Sequence, residues 1–329
     1  MKSDLERQML KLNVLYNVNI EIDPNDFYKS TQKVKYIRNA YGFRDNCSSP
    51  KDIDIVTIGG STTDQRYINF QNTYQFLLQT RLNKNKKEIC ISNAGVDGHT
   101  SLGHFLSINN WFPLIQDFNP KYYLFYVGIN DAVIIHQNKP KNQITNSITM
   151  FVKLKITENS YLYWLYNKLK NTFFLSDQYG ILSHRKDIKN YYKYDTVQKN
   201  DYIKNDLIQN ALQFKENLSD AFKVLMKKKT RIICVTQPNR FVENNKGIAN
   251  AIKFNGKYLT SNDLNLSLEI INSNFKEICN KNMAIFIDTN TLNFTDDDFY
   301  DFVHLNNKGN EKLANFLFKK LDEFINVDF

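Results

Sequence analysis

The chain has 329 residues, 42% hydrophobic and 14% aromatic, which is enough for a sizeable core. Its formal charge is +9, from 43 Lys and Arg against 34 Asp and Glu. No arginine cluster or basic-aromatic stripe goes with that charge, so nucleic acid is set aside as a partner and a solvated lysine-rich surface is expected.

The first residues, Met1 to Arg7, include acidic side chains and no apolar core, unlike a signal peptide. No apolar stretch approaches the length of a membrane span. Residues 1–50 read as an N-terminal extension of helix and loops lying across a main domain at 51–329. Five short apolar, β-branched runs follow at 53–58, 89–92, 122–127, 231–236 and 284–287, each suited to a strand buried on both faces. Helical patterns separate them at 74–82, 208–226, 264–279 and 309–325. The first shows Tyr74, Leu77, Leu78 and Leu82 on one face, and the last shows Leu313, Phe316, Leu317, Leu321 and Phe324. Strands alternating with helices predict an α/β fold with a doubly wound parallel five-stranded sheet. Residues of about 138–206 exceed this unit, forming a helical insertion rich in aromatics such as Tyr161, Trp164, Phe173 and Tyr191. The four cysteines, Cys47, Cys90, Cys234 and Cys279, show neither zinc nor disulfide-framework spacing. They predict buried reduced thiols and a cytoplasmic protein.

The strands' C-terminal ends carry the polar groups of interest. After the first run stands Gly59-Gly60-Ser61-Thr62-Thr63-Asp64, where Ser61 opens a helix and its own N–H is an orphan donor. A plain N-cap reads equally well from this segment alone. After the second, the loop from Asn93 to Ser101 offers Gly98, whose backbone N–H nothing obstructs, with His99 beside it as a substrate contact at most. After the third, Gly128-Ile129-Asn130-Asp131 offers a neutral amide donor in Asn130, or an Asx turn. After the fifth, Asp301-Phe302-Val303-His304 sets an acid three residues before a base. Serine needs such a base, oriented by a third group, before it can attack. Asp296, Asp297 and Asp298 lack the ligand spacing of a cation site. No metal or cofactor is expected, and no Gly-rich phosphate loop is present.

At these residues the chain resembles the SGNH/GDSL hydrolase superfamily. The four blocks match Ser61 in Gly-Gly-Ser-Thr-Thr, Gly98 in Asn-Ala-Gly-Val-Asp-Gly-His, Asn130 in Gly-Ile-Asn-Asp, and His304 with Asp301 in Asp-Phe-Val-His. The segment Asn-Ala-Tyr-Gly-Phe-Arg at 39–44 looks like a lead-in of some bacterial members. Gly60 stands where the family name expects aspartate, as in a bacterial subgroup. The resemblance implies a three-layer α/β/α fold of flavodoxin-like order and a metal-free acyl-enzyme mechanism. In it Ser61 is the nucleophile, His304 the base and Asp301 the orienting acid. Ser61, Gly98 and Asn130 form the oxyanion hole, and the substrate is a small-molecule or glycan ester such as an O-acetylated carbohydrate. An acyltransferase with the same triad, or a non-catalytic flavodoxin-like binding module, are the alternatives.

Overall fold

The structure, a computed structural model, describes residues 17–21, 33–84, 88–133, 201–243, 246–247, 252–254 and 257–326. The lead-in contributes an antiparallel pair, β1 (Asn17–Glu21) and β2 (Lys33–Ile37), where helix and loops were expected. Then come β3 (Ile55–Gly59), the one-turn α1 (Ser61–Asp64), α2 (Tyr74–Asn83), β4 (Ile91–Asn93) and α3 (Ser101–Leu106). β5 (Tyr122–Tyr126) leads into α4 (Ile129–Val133). After α5 (Asp201–Met226) and β6 (Arg231–Val235), two small ribbons pair β7 (Val242–Glu243) with β8 (Lys246–Gly247) and β9 (Ile252–Phe254) with β10 (Lys257–Leu259). α6 (Ser261–Lys281), β11 (Ile285–Ile287) and α7 (Asn307–Asn326) close the chain. The expected aromatic insertion lies outside the described residues, except for 201–206, which begin α5.

The main sheet has the order β11-β6-β5-β3-β4, and every pairing in it is parallel. Counted along the chain this is 2-1-3-4-5, the flavodoxin-like order, with its switch point between β3 and β5. Side chains of a strand alternate between faces, so each strand feeds two cores. On one face Tyr122, Leu124, Tyr126, Ile233 and Val235 pack with Tyr74, Leu78 and Leu82 of α2 and Leu313, Leu317 and Leu321 of α7. On the other, Val56, Ile58, Tyr123 and Phe125 pack with Phe214, Leu218 and Phe222 of α5 and Leu268 and Phe275 of α6. The chain is therefore a three-layer α/β/α structure. Leu77 and Phe316 are only partly buried, and Phe324, expected on the buried stripe of α7, is exposed.

The expectation of reduced thiols is corrected. Cys47 is bonded to Cys90, with a Cα–Cα distance of 5.7 Å, and Cys234 to Cys279, at 6.4 Å. Pairing depends on Cα proximity, and the fold supplies it by laying the lead-in along β4 and α6 along β6. The argument for a reducing compartment from unpaired thiols loses its premise. Among the described residues, no helix is long and apolar enough to cross a membrane.

The lead-in is built into the domain. β2 alternates, turning Val34, Tyr36 and then Arg38 inward. A turn held by Asn39 follows, and Arg44 then bridges to Asn93 at the end of β4. Phe43 is fully buried between Trp111, Phe112 and Phe118.

Candidate active site

The C-terminal ends of β3 and β5 flank the switch point, where the sheet leaves a crevice. β3 ends in Gly59-Gly60, and Ser61 opens α1. From the far end of the chain, a compact loop brings His304 to the same place. Its Nε2 lies 2.8 Å from Ser61 Oγ, and its Nδ1 lies 2.6 Å from Asp301 Oδ2. The other carboxylate oxygen of Asp301 accepts from the N–H groups of Val303 (2.9 Å) and His304 (2.7 Å). The three-residue offset thus acts through a loop, closed where the Tyr300 N–H donates to the His304 carbonyl at 3.0 Å. Tyr300 also stacks on the imidazole, with an 8° interplanar angle and centroids 5.3 Å apart. Carboxylate and ring stack together fix the orientation of His304. Burial lowers its pKa, but the Asp301 charge and hydrogen bond outweigh that, and the net shift is upward from 6.5.

Two further predicted residues are drawn in by the βα loops. Gly98 has φ +73° in the turn from Val96 to His99, closed by the His99 N–H to the Val96 carbonyl at 3.0 Å. Such a conformation at the third residue of a turn suits glycine. Asn130 Nδ2 donates to the carbonyl of His99 at 2.8 Å, joining α4 to the Gly98 loop. The contribution of His99 is thus its carbonyl, while its ring lies against Gly103 and 6.0 Å from that of His104. Burial first, and then the neighbouring His99, holds His104 well below the usual histidine range.

Gly60 is explained by the same contacts. A Cβ built there would stand 2.3 Å from Asn130 Nδ2. The aspartate of the family name would therefore collide with the amide donor in this chain. With Asn130 read as an oxyanion donor, as the resemblance implies, Gly60→Ala is expected to displace its amide and lower kcat by roughly 10²–10³-fold. Thermal melting should move little, since the obstructed atom ends a side chain that can swing away. Kinetics on a short-chain ester beside a melting curve checks both.

The turn that presents Ser61 is held from beneath by residues that sequence reasoning left without a role. Asp64, fully buried, accepts from Arg38 Nη2 at 2.6 Å and from the Tyr36 hydroxyl. Burial alone would raise its pKa, but Arg38, Arg66 and Tyr36 more than offset this and hold it below the usual carboxylate range. Burial, and then the Asp64 charge, pushes the Tyr36 phenol upward. Arg44 donates to the carbonyls of Asp64 (3.0 Å), Gln65 (2.6 Å) and Ile68. Burial brings its pKa down to about 10, still protonated at neutral pH. Gln65, in the left-handed region at φ 51°, donates to Asn310 of α7. The 39–44 segment was a visible signal for Arg44, but nothing in the sequence tied Arg38 or Tyr36 to Asp64.

Gln237 was also missed, although it stands just beyond the end of β6, where the strand-end rule points. Asp131, next to Asn130, is buried and hydrogen-bonded to Ser101. It accepts from the N–H and hydroxyl of Ser101 at 2.9 Å and 2.6 Å, and burial pushes its pKa up to about 6. Asp298 accepts from Lys312 Nζ at 3.0 Å, and among the described residues no acidic or thiol cluster could hold a metal.

No protein-family profile and no curated protein matches the chain. Solved structures do. One is the structure of TesA, 11% identical over 82% of this chain and 97% of that one, with a TM-score of 0.47. Another is the acetyl xylan esterase AlAXEase, 15% identical over 81% and 98%, with a TM-score of 0.43. A member of the lipolytic protein G-D-S-L family from Veillonella parvula is 12% identical over 81% and 97%, with a TM-score of 0.44. The chemistry of this chain rests on its own residues.

Proposed function

We propose that the chain is a serine ester hydrolase of the SGNH/GDSL kind, with Ser61 as nucleophile, His304 as base and Asp301 as orienting acid. The observation that carries this is one continuous chain of contacts, Ser61 Oγ to His304 Nε2 at 2.8 Å and His304 Nδ1 to Asp301 at 2.6 Å, across 243 residues of sequence. With Asp301 accepting from Nδ1–H, the Nε2 lone pair faces the serine hydroxyl. Ser61 Oγ attacks the ester carbonyl as its proton passes to His304. The carbonyl oxygen, now anionic, is met by the N–H groups of Ser61 and Gly98 and by the Asn130 amide. His304 then protonates the departing alcohol. It next takes a proton from water, which attacks the acyl-enzyme, and returns that proton to Ser61 Oγ as the acyl–oxygen bond breaks and the acid is freed.

The substrate we assign is a small acyl ester, an O-acetyl group on a carbohydrate. Support comes from the resemblance to the Gly-Gly-Ser-Thr-Thr subgroup and from half-buried Tyr67, set edge-on to Tyr300 beside His304. Aromatic faces at a site suit sugar rings. A panel of short-chain nitrophenyl esters and acetylated sugars, run with wild type and Ser61→Ala, tests the reading. Equal activity in the two proteins would refute it. Product analysis with an acceptor sugar present should yield free acid, and acyl sugar as the main product would replace hydrolysis by transfer.

The reaction also has an expected pH dependence. The base works only when neutral, so kcat/KM should rise with pH through the His304 pKa. That pKa is raised, so the midpoint should lie above 6.5. Asp301→Asn removes the charge that raises it and should move the midpoint down. A pH–rate profile of the two proteins measures this, and an unmoved midpoint would count against the pairing.

A further inference from the structure

We infer that Gln237 is a positioning residue that sets the Asn130 donor against the Ser61 nucleophile, an inference that rests on the reading of Asn130 just given. Gln237 follows β6 and is 2% exposed. Its Nε2 donates to Thr62 Oγ1 at 2.5 Å and to the carbonyl of Tyr126 at 3.1 Å. Its Oε1 accepts from the N–H of Ile129 at 2.7 Å. The orientation of the amide follows from its partners. The Ile129 N–H can only donate and the Tyr126 carbonyl can only accept, so neither end can be exchanged.

Those three partners have distinct places in the site. Thr62 is the neighbour of Ser61 in α1. Tyr126 ends β5, and Ile129 opens α4 with Asn130 next in line. The Ile129 N–H is one of the orphan donors at a helix start, which the helix itself cannot satisfy. One buried side chain therefore fastens the nucleophile's turn to the first residue of the donor's helix, across the switch point. Oxyanion stabilisation depends on donors standing close to where charge develops, and an error of about 1 Å can cost on the order of 10²-fold. A side chain that fixes two βα turns relative to each other controls that distance without touching substrate.

The test is a double-mutant cycle in the full chain with a short-chain nitrophenyl ester. It combines Gln237→Met, which preserves side-chain volume and removes all three hydrogen bonds, with Asn130→Ala. Gln237→Met should lower kcat roughly 10- to 100-fold with KM within about twofold, because the loss falls on the transition state. In the Asn130→Ala background the same change should cost less than about threefold, because the donor it positions is gone. Equal losses in both backgrounds would overturn the role of Gln237 and leave the oxyanion reading intact. Full activity in Asn130→Ala would instead overturn that reading. If Gln237→Met does not melt cooperatively, Gln237→Glu takes its place in the cycle. It retains the acceptor for Ile129 and loses the amide donor, and additive losses overturn the proposal in the same way.

Discussion

Ser61→Ala is expected to reduce kcat toward a short-chain ester by on the order of 10⁶-fold while the protein stays folded. In the proposed mechanism the hydroxyl is the atom that bonds to the acyl group. What the variant loses structurally is one hydrogen bond, to His304 Nε2, at a half-buried position. A change of that kind costs about 1 kcal/mol. His304→Ala should cost about as much in kcat as Ser61→Ala, and the double variant no more than either alone, because the pair acts as a unit. Asp301→Asn should cost about 10⁴-fold through the wrong tautomer. Residual turnover of roughly 10³–10⁴ over water is expected from the oxyanion donors. A Ser61→Ala protein with wild-type turnover would end the serine-hydrolase reading whatever the distances.

Asp64→Ala is expected to destabilise the fold by about 3–5 kcal/mol, because it leaves buried Arg38 without its charge partner. Arg38 is 3% exposed and Asp64 is fully buried, so water cannot replace either. The same change frees the Tyr36 hydroxyl from its acceptor. Arg38→Met should cost a similar amount for the converse reason. The double variant Arg38→Met with Asp64→Ala should be more stable than either single variant, since no buried charge of the pair then remains. Urea denaturation of the four proteins measures the cycle, and simple additivity would refute the coupling. The pH dependence has a definite sign. The Asp64 pKa is depressed in the fold. Its contribution is therefore present above the unfolded value of about 3.9 and lost as pH falls through the lower folded value. Acid unfolding should begin below about pH 4, and Asp64 variants should have a flatter profile there.

The proposed reacting groups were legible because each has a chemical signature at a predictable place. A serine after two glycines, a glycine and an asparagine in βα loops, and an acid three residues before a histidine all fall at strand ends that the apolar runs already marked. Residues that hold those groups have no such signature. Gln237 is one glutamine among many until Thr62, Tyr126 and Ile129 are seen around it. Arg38 reads as an ordinary charge, and only the alternation of β2 turns it inward onto Asp64. The disulfides failed for a related reason. Sequence separations of 43 and 45 residues say nothing about Cα distance, which the packing of the lead-in on β4 and of α6 on β6 decides.

By itself the sequence determined the layers, the parallel strands and which polar groups would stand at their C-terminal ends, because hydrophobic periodicity and turn chemistry are local properties. Tertiary structure alone decided that His304 comes within 2.8 Å of Ser61, that Gly60 must lack a side chain beside Asn130, and that buried arginines of the lead-in hold the Ser61 turn. Those are relations between segments far apart in the chain, and only packing fixes such distances.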